Sequence, residues 1–224
     1  MSIKIEELEN AVCDVIQIIK QIPELTGARL AVIGDLTMCK YVPGYELTRK
    51  IRFITNAPSI NDLTEKLLCH PTSPFIRHKQ SLFYRSPVGQ DIKIIFSPAC
   101  AFPYLPDSAL LIPEIPYGVV PYVTAADLAS FKVYASLSPA TSPTERRQES
   151  DDALALASPE AQARITADGA GAAAPVTHKA RRRTVSALPP DFLTPQQEQL
   201  IRDALRAGED PVIHLALPSP PPDM

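Results

Sequence analysis

The amino-acid sequence predicts a mixed α/β fold in which a mixed sheet is flanked by helices. Apolar residues recur at helical spacing over residues 3–20, so this segment is predicted to be an amphipathic helix. A short apolar run between Gly27 and Gly34 is typical of a buried strand, and later runs alternate polar and apolar residues as half-buried strands do. Strands are predicted at residues 29–33, 50–55, 81–85 and 91–96, the last two as a hairpin.

Capping residues mark where further helices begin. Ser59 and Thr124 each precede a helical pattern and have an aspartate three residues later, which is typical of an N-cap. Ser142-Pro143 opens a helix in the same way, with proline at the first helical position. Helices are therefore predicted at residues 37–41 and 60–69, after Thr124 with Leu128, Phe131 and Tyr134 as its buried face, and from Pro143 to about Ala157.

Prolines and changes in composition divide the chain into segments. Residues 97–118 contain five prolines without periodicity and are predicted to be a long surface connection. Residues 158–190 nearly lack large apolar side chains, so they cannot offset their ordering entropy and are predicted to be disordered. The resulting organisation is a domain at 1–157, a disordered linker at 158–190, a C-terminal helix at 191–210 with a capping box at Thr194, and a proline-rich tail at 211–224.

Bulk composition narrows the class of protein. A net charge of −3 indicates no strong preference for nucleic acid or membranes, and no apolar run reaches the length of a membrane span. The four cysteines form no C-x-x-C pair and are interpreted as buried, reduced thiols of an intracellular protein, cytoplasmic or nuclear. Cys69 and His70 are adjacent, and adjacent residues rarely chelate one metal, so no zinc site is expected.

Four short segments resemble the nucleotidyltransferase superfamily, in particular the branch related to the AbiEii-type bacterial toxins, as found in fungal proteins. The segment AVIGDLTMCKYVPGYELTRKIRFITNAP resembles that family's strand, glycine turn, short helix and following strand. QDIKIIFSP resembles a later strand, TAADLASFKVYA resembles a helix that carries a lysine, and ERRQESDDALAL resembles the arginine-rich helix that follows it. The resemblance covers roughly residues 3–157 and implies a nucleotidyltransferase-like fold.

The residues that would hold metal ions depart from the family pattern. Active members use three carboxylates to bind Mg²⁺ ions that bridge the nucleotide phosphates, because hard cations need oxygen ligands. Lys50-Ile51-Arg52 stands where the family has Asp-x-Asp, and Ile95 stands where the third carboxylate is expected. The turn also carries Asp35 in place of a glycine or serine, and a carboxylate there repels phosphate. The resemblance therefore implies a catalytically degenerate protein with a binding or scaffold role and no metal cofactor.

Two other functions stay open at the level of sequence. The first is an active nucleotidyltransferase that uses Mg²⁺ held by relocated acids, Asp35 and Asp91. Simpler interpretations of these two residues are that Asp35 caps the short helix at 37–41 and that Asp91 is a solvated turn carboxylate. The second is a structural module that binds a protein partner through its C-terminal helix.

The predicted binding residues follow from the same resemblance. Gly34, Thr37 and Lys132 are predicted to contact a nucleotide or another phosphate ligand, together with a cationic pocket formed by Lys50 and Arg52. Because Lys50 and Arg52 are two apart on a strand they share a face, and the alternative is that this face is simply solvated. The alternative for Lys132 is that it extends from a packed helix face into solvent.

A basic run lies near the C-terminus. Residues 178–183 (HKARRR) have the composition of a nuclear-import signal or of a segment that binds an anionic partner, although such runs also arise without a specific role. Thr184 and Ser186 follow the arginines as a basophilic kinase would require, so they are the predicted phosphorylation sites.

Overall fold

The computed structural model describes residues 4–71, 73–87 and 89–171, all within one compact unit at residues 1–177. A six-stranded mixed sheet lies between helices, as the sequence predicted. The strands are β1 (Arg29–Ile33), β2 (Lys50–Thr55), β3 (Phe75–His78), β4 (Ser81–Arg85), β5 (Asp91–Pro98) and β6 (Leu110–Leu111). The helices are α1 (Ile5–Ile19), α2 (Asp35–Tyr41), α3 (Ile60–Cys69), α4 (Ala125–Leu137), α5 (Pro143–Leu156) and α6 (Pro159–Gly171).

The strand order in the sheet is β3-β4-β5-β2-β1-β6. The two central strands β2 and β5 are parallel, with Arg52 opposite Ile95, whereas the other neighbours named here are antiparallel. On the other side of β2, Arg52 is opposite Ile33 at the end of β1. This register brings the end of β1, the first half of β2 and the middle of β5 together.

The sheet separates two apolar cores. One core packs α1 and α3 against the face that carries Ile51, Phe53 and Ile94. The other packs α2, α4 and α5 against the face that carries Ile33 and Ile54. Since side chains alternate between the faces of a strand, Lys50 and Arg52 point to the second face, beyond the apolar part of that core.

Most of the predicted elements are confirmed with their boundaries. Strands β1, β2 and β4 have the predicted limits, and β5 runs two residues beyond its predicted end. Ser59, Thr124 and Ser142 each accept a hydrogen bond from the backbone N–H of the acidic residue three positions later, as N-caps do. These capping residues therefore determine where α3, α4 and α5 begin.

Two edge strands were not predicted. β3 has one buried side chain, Phe75, whose ring contacts Tyr84 edge-on at a centroid distance of 5.9 Å. β6 is a two-residue strand in the predicted surface connection, and it pairs with Arg29 and Leu30 of β1. Both strands are too short for a periodic pattern, and their pairing depends on residues distant in sequence.

Helix α6 corrects the predicted start of disorder at residue 158. Ser158 accepts a hydrogen bond from the Ala161 N–H, Pro159 opens the helix, and alanine has the highest intrinsic helix propensity. Ala161 is fully buried and Ile165 packs against the core that contains α2 and α4. Small side chains thus allow the helix to pack closely although the segment has few large apolar residues.

The structure also corrects two predictions about burial. Tyr134 is 47% exposed, because each step of three residues moves about 60° round a helix and carries position 134 away from Leu128. The residues of α4 that are buried on either side of Phe131 are Ser130 and Lys132. Among the cysteines, Cys13 and Cys39 are half-buried, whereas Cys69 and Cys100 are exposed; all four are free thiols.

Several predictions fall on residues outside the described ranges. These are most of the linker at 158–190, the basic run at 178–183, Thr184 and Ser186, the C-terminal helix at 191–210 and the tail at 211–224. Within the described residues, none of the helices combines the length and apolar character that crossing a membrane requires.

Candidate functional site

Gly34 lies where the chain leaves β1 and enters α2. Its backbone has φ +80° and ψ −149°, a conformation that glycine adopts readily and L-residues rarely do. A Cβ atom placed on Gly34 would lie 3.6 Å from the Cβ of Arg52 on the neighbouring strand. The turn therefore brings the Gly34 backbone against the side chain of Arg52.

A pocket with a volume of about 380 Å³ opens beside this turn. It is a size typical of small-ligand sites. Five carboxylates and three cations line it, a formal excess of two negative charges. The lining residues are Gly34, Asp35, Tyr45, Glu46, Thr48, Lys50, Arg52, Ile95, Lys132, Glu145, Gln148, Glu149 and Asp152.

The cations Lys50 and Arg52 extend from β2 along one wall of the pocket. Both residues are exposed, in contrast to Ile51 between them, which is fully buried on the other face. The Nζ atom of Lys50 lies 3.7 Å from Oδ2 of Asp35, and the Lys50 side chain is 52% exposed. At that distance and exposure the ion pair is weak, so the ammonium group is available to a ligand.

Asp35 does not cap α2 with its side chain, which corrects one of its predicted roles. The N-cap position is Gly34, and Asp35 is the first residue of the helix. The Asp35 carboxylate accepts a hydrogen bond of 2.5 Å from the Thr48 hydroxyl, and the same oxygen faces Lys50. It therefore joins α2 to the segment that leads into β2.

Lys132 lies at the inner end of the pocket in a buried ionic cluster. Its Nζ atom is 2.6 Å from Oδ2 of Asp152 and 2.8 Å from Oε2 of Glu149, and the Lys132 side chain is 7% exposed. Burial alone would lower the Lys132 pKa, but the charge of Glu149 and the hydrogen bonds to both carboxylates outweigh it and raise the pKa. Lys132 is thus held protonated. Its ammonium group is paired with Glu149 and Asp152 of α5 and does not extend into solvent.

Two further donors complete the environment of Asp152. The Tyr45 hydroxyl donates to Oδ2 at 3.0 Å and the Gln148 amide donates to Oδ1 at 2.9 Å. The pKa of Tyr45 is raised, mainly by burial and next by the negative charge of Asp152. The phenol therefore stays neutral and remains a hydrogen-bond donor. With Lys132, three donors bind the two oxygens of this carboxylate.

The remaining acids lie at the mouth of the pocket. Glu145 accepts hydrogen bonds from the Ser142 hydroxyl and backbone N–H, which lower its pKa, and the charge of Arg52 lowers it further. Glu46 is exposed and makes no hydrogen bond or ion pair with another residue in the described ranges. The mouth therefore carries negative charge opposite Arg52.

Two predicted site residues lie elsewhere. Thr37 is fully buried, and its hydroxyl donates to the Val32 carbonyl at 2.9 Å, so it does not line the pocket. The helical turn that follows Gly34 directs position 37 into the core. Asp91 pairs with Arg85 at 3.1 Å at the end of the hairpin, also away from the pocket lining. Asp35 and Asp91 therefore do not converge there.

The lining does not fit the Mg²⁺ ions that the sequence resemblance implies for active proteins. The positions expected to supply carboxylates carry Lys50, Arg52 and Ile95, and all three side chains line the pocket. No group of three or more His, Cys, Asp or Glu within the described residues is placed to hold a metal ion. A divalent cation there would face two cations and an apolar side chain.

Gly34, Lys50, Arg52 and Lys132 were predicted from the sequence to share a site and all line this pocket, but the acids that neutralise Lys132 were not predicted. Their signal was present, because Glu149 and Asp152 are three residues apart on α5 and so share one helix face. Tyr45 had no such signal, since it lies in an irregular segment between α2 and β2.

The fold and pocket define a mixed α/β protein with a charged cleft. No protein-family model and no curated protein matches the chain. Among solved structures, an antigenic nucleotidyltransferase-like protein from Paracoccidioides brasiliensis is similar over 75% of this chain and 89% of its own, with 14% sequence identity and a TM-score of 0.46. A likeness at that identity and score does not by itself assign a function.

Proposed function

We propose that this protein is a non-catalytic member of the nucleotidyltransferase superfamily, of the branch related to the AbiEii-type toxins, and that its pocket binds a phosphate-containing ligand without metal. The observation that carries the proposal is that Lys50 and Arg52, which stand where the sequence resemblance implies paired carboxylates, line the pocket beside Gly34. Cations on an exposed wall attract phosphate and repel Mg²⁺.

The state of the pocket carboxylates supports a non-catalytic role. Asp152 and Glu149 are engaged by Lys132, and Asp35 is engaged by Thr48 and Lys50. A divalent ion would need to displace these donors before it could gain oxygen ligands. The protein's own ammonium groups thus compensate charges that metal ions would otherwise compensate.

The anion site itself rests on Lys50 and Arg52. Arg52 can bind two phosphate oxygens at once through its planar guanidinium group, and Lys50 supplies a second, mobile charge. Asp35 and Glu145 compete for these cations, so we expect weak binding, with a dissociation constant on the order of 1 mM. The third cation, Lys132, is already paired with two carboxylates and contributes little to an incoming anion.

The first prediction concerns catalysis. Purified protein incubated with Mg²⁺ or Mn²⁺ and radiolabelled ribonucleoside triphosphates should transfer no nucleotide to itself or to RNA, because no carboxylate stands at the three expected positions. Incorporation of label that Asp35→Ala removes would contradict this and would favour an active enzyme with a relocated acid.

The second prediction concerns binding. Isothermal titration calorimetry with ATP in EDTA should show weak binding whose affinity decreases with added salt. Salt ions screen exposed charges, so that their attraction extends only about 8 Å at physiological ionic strength. The variant Lys50→Ala/Arg52→Ala should lose the heat signal. The control Lys66→Ala/Arg77→Ala removes the same charge from exposed ion pairs on α3 and β3 and should bind like the unmodified protein.

Two results would contradict the anion pocket. An absence of heat with ATP and also with a monoanionic nucleotide such as cyclic AMP, or binding that strictly requires Mg²⁺, would favour a solvated face at Lys50 and Arg52. An equal loss in the control variant would mean that ATP responds only to net charge. In either case a structural module that binds a protein partner through residues 191–210 becomes the better hypothesis.

A further inference from the structure

The anion-binding wall of the pocket is bordered by carboxylates on both sides. Oδ2 of Asp35 faces Lys50 at 3.7 Å, and the charge of Glu145 acts on Arg52 from the α5 side. Lys132 contributes no spare charge, because two acids surround it. Lys93, which is opposite Lys50 on β5, does not line the pocket. The two accessible cations are therefore balanced by two carboxylates before a ligand arrives.

We propose that the pocket prefers a phosphate group with one negative charge, a phosphodiester, over a dianionic phosphomonoester, with Asp35 as the specificity-determining residue. This preference rests on the proposed anion site. A monoanion can lie between Lys50 and Arg52 and accept hydrogen bonds from both. The second charge of a monoester finds no additional cation in the lining and is repelled by Asp35 and Glu145.

The position of Asp35 makes it suited to this selection. The Thr48 hydroxyl holds its carboxylate at 2.5 Å, and the side chain is 24% exposed, so it cannot swing away from an incoming anion as an unrestrained surface acid would. Its position at the start of α2, directly after the constrained Gly34, fixes the backbone as well. The negative charge is thus built into the wall beside Lys50.

The test compares two ligands that share a nucleoside and differ in phosphate charge. At pH 8, 3′,5′-cyclic AMP is a monoanion and AMP is a dianion, and we expect cyclic AMP to bind roughly fivefold more tightly, the effect of one charge at a partly exposed site. At pH 5.5 AMP becomes largely monoanionic, since the second phosphate pKa is about 6, and the difference should disappear. The described lining contains no histidine, the side chain that ordinarily titrates in this interval.

The variant Asp35→Asn isolates the residue. Asparagine keeps an oxygen that accepts the Thr48 hydrogen bond but lacks the charge, so thermal stability should change little and AMP affinity at pH 8 should rise roughly fivefold. The affinity for cyclic AMP should rise less. A variant that binds both ligands in the same ratio as the unmodified protein would overturn the role of Asp35.

Other outcomes separate this inference from the function on which it depends. If AMP binds at pH 8 as tightly as cyclic AMP, the preference is wrong and the anion pocket stands. If neither ligand binds, the anion pocket itself fails and the preference fails with it. Glycerophosphoglycerol, a phosphodiester with the chemistry of a lipid headgroup, distinguishes the source: tighter binding of cyclic AMP assigns a nucleoside ligand, and tighter binding of glycerophosphoglycerol assigns a lipid-derived one; both support the phosphodiester class.

Discussion

Replacing Lys132 by methionine should lower the free energy of unfolding by about 3 kcal/mol or more. Methionine fills a similar volume, so the loss comes from charge: Glu149 and Asp152 would remain in the protein without the ammonium group that compensates them. Removal of one partner from a buried ion pair typically costs about 3 to 5 kcal/mol, because the other charge is left unpaired. Tyr45 and Gln148 would still donate to Asp152, which places the expectation at the lower end of that range.

Urea unfolding of Lys132→Met and of a matched control measures this effect. Lys66 forms a 2.5 Å ion pair with Glu24 in solvent, so Lys66→Met should change stability by less than about 1 kcal/mol. Adding Asp152→Asn to Lys132→Met should cost less than the two single changes combined, since one unpaired charge is removed. Equal effects of Lys132→Met and Lys66→Met on the free energy of unfolding would mean that water solvates the carboxylates of Glu149 and Asp152, and would contradict this prediction.

The same cluster gives stability a defined dependence on pH. The pKa of Lys132 is higher in the folded protein than its ordinary value, so its contribution is complete below pH 10 and is lost as pH rises above about 10.5. The raised pKa of Tyr45 acts in the same direction, because ionisation of the phenol in the unfolded chain favours unfolding at high pH. The alkaline loss should therefore be shallower in Lys132→Met.

Short sequence patterns predicted the strands and helices whose formation depends on residues close together in the chain. The apolar run of β1, the alternation in β2 and the capping serine and threonine residues of α3, α4 and α5 each determine structure within a few residues. The short strand β6 forms only because its chain passes beside β1, a contact between residues about eighty positions apart. Sequence periodicity does not report contacts of that kind.

The residues of the candidate site likewise divide into those that neighbouring elements place and those whose partners lie elsewhere in the fold. Gly34 and the β2 cations could be placed together because β1 and β2 are consecutive strands, and consecutive strands usually lie side by side in a sheet. Thr37 was predicted to contact a ligand and Asp35 to cap α2, but their side chains bond to the Val32 carbonyl and to Thr48, which only the folded chain brings into reach. Composition likewise failed at α6, where alanine packs closely without large apolar side chains.

Gly34→Ala should lower the free energy of unfolding by about 1 to 3 kcal/mol. Crowding does not cause this loss, because the added Cβ atom would be at an ordinary contact distance, 3.6 Å, from Arg52. The cause is the backbone: φ +80° with ψ −149° belongs to a region that is essentially restricted to glycine. Any relaxation toward an allowed conformation would move the start of α2, and with it Asp35, relative to Arg52.

Gly27→Ala provides the matched control. Gly27 has an ordinary backbone conformation and open space around its Cα, so the same substitution should be neutral or raise stability by about 0.4 to 1 kcal/mol through the unfolded state. Thermal unfolding of both variants separates backbone strain from the general effect of replacing glycine, and ATP titration of Gly34→Ala reports whether the pocket wall has shifted. If the two variants were equally stable, the turn would tolerate side chains, and the close approach of the Gly34 backbone to Arg52 would not depend on glycine.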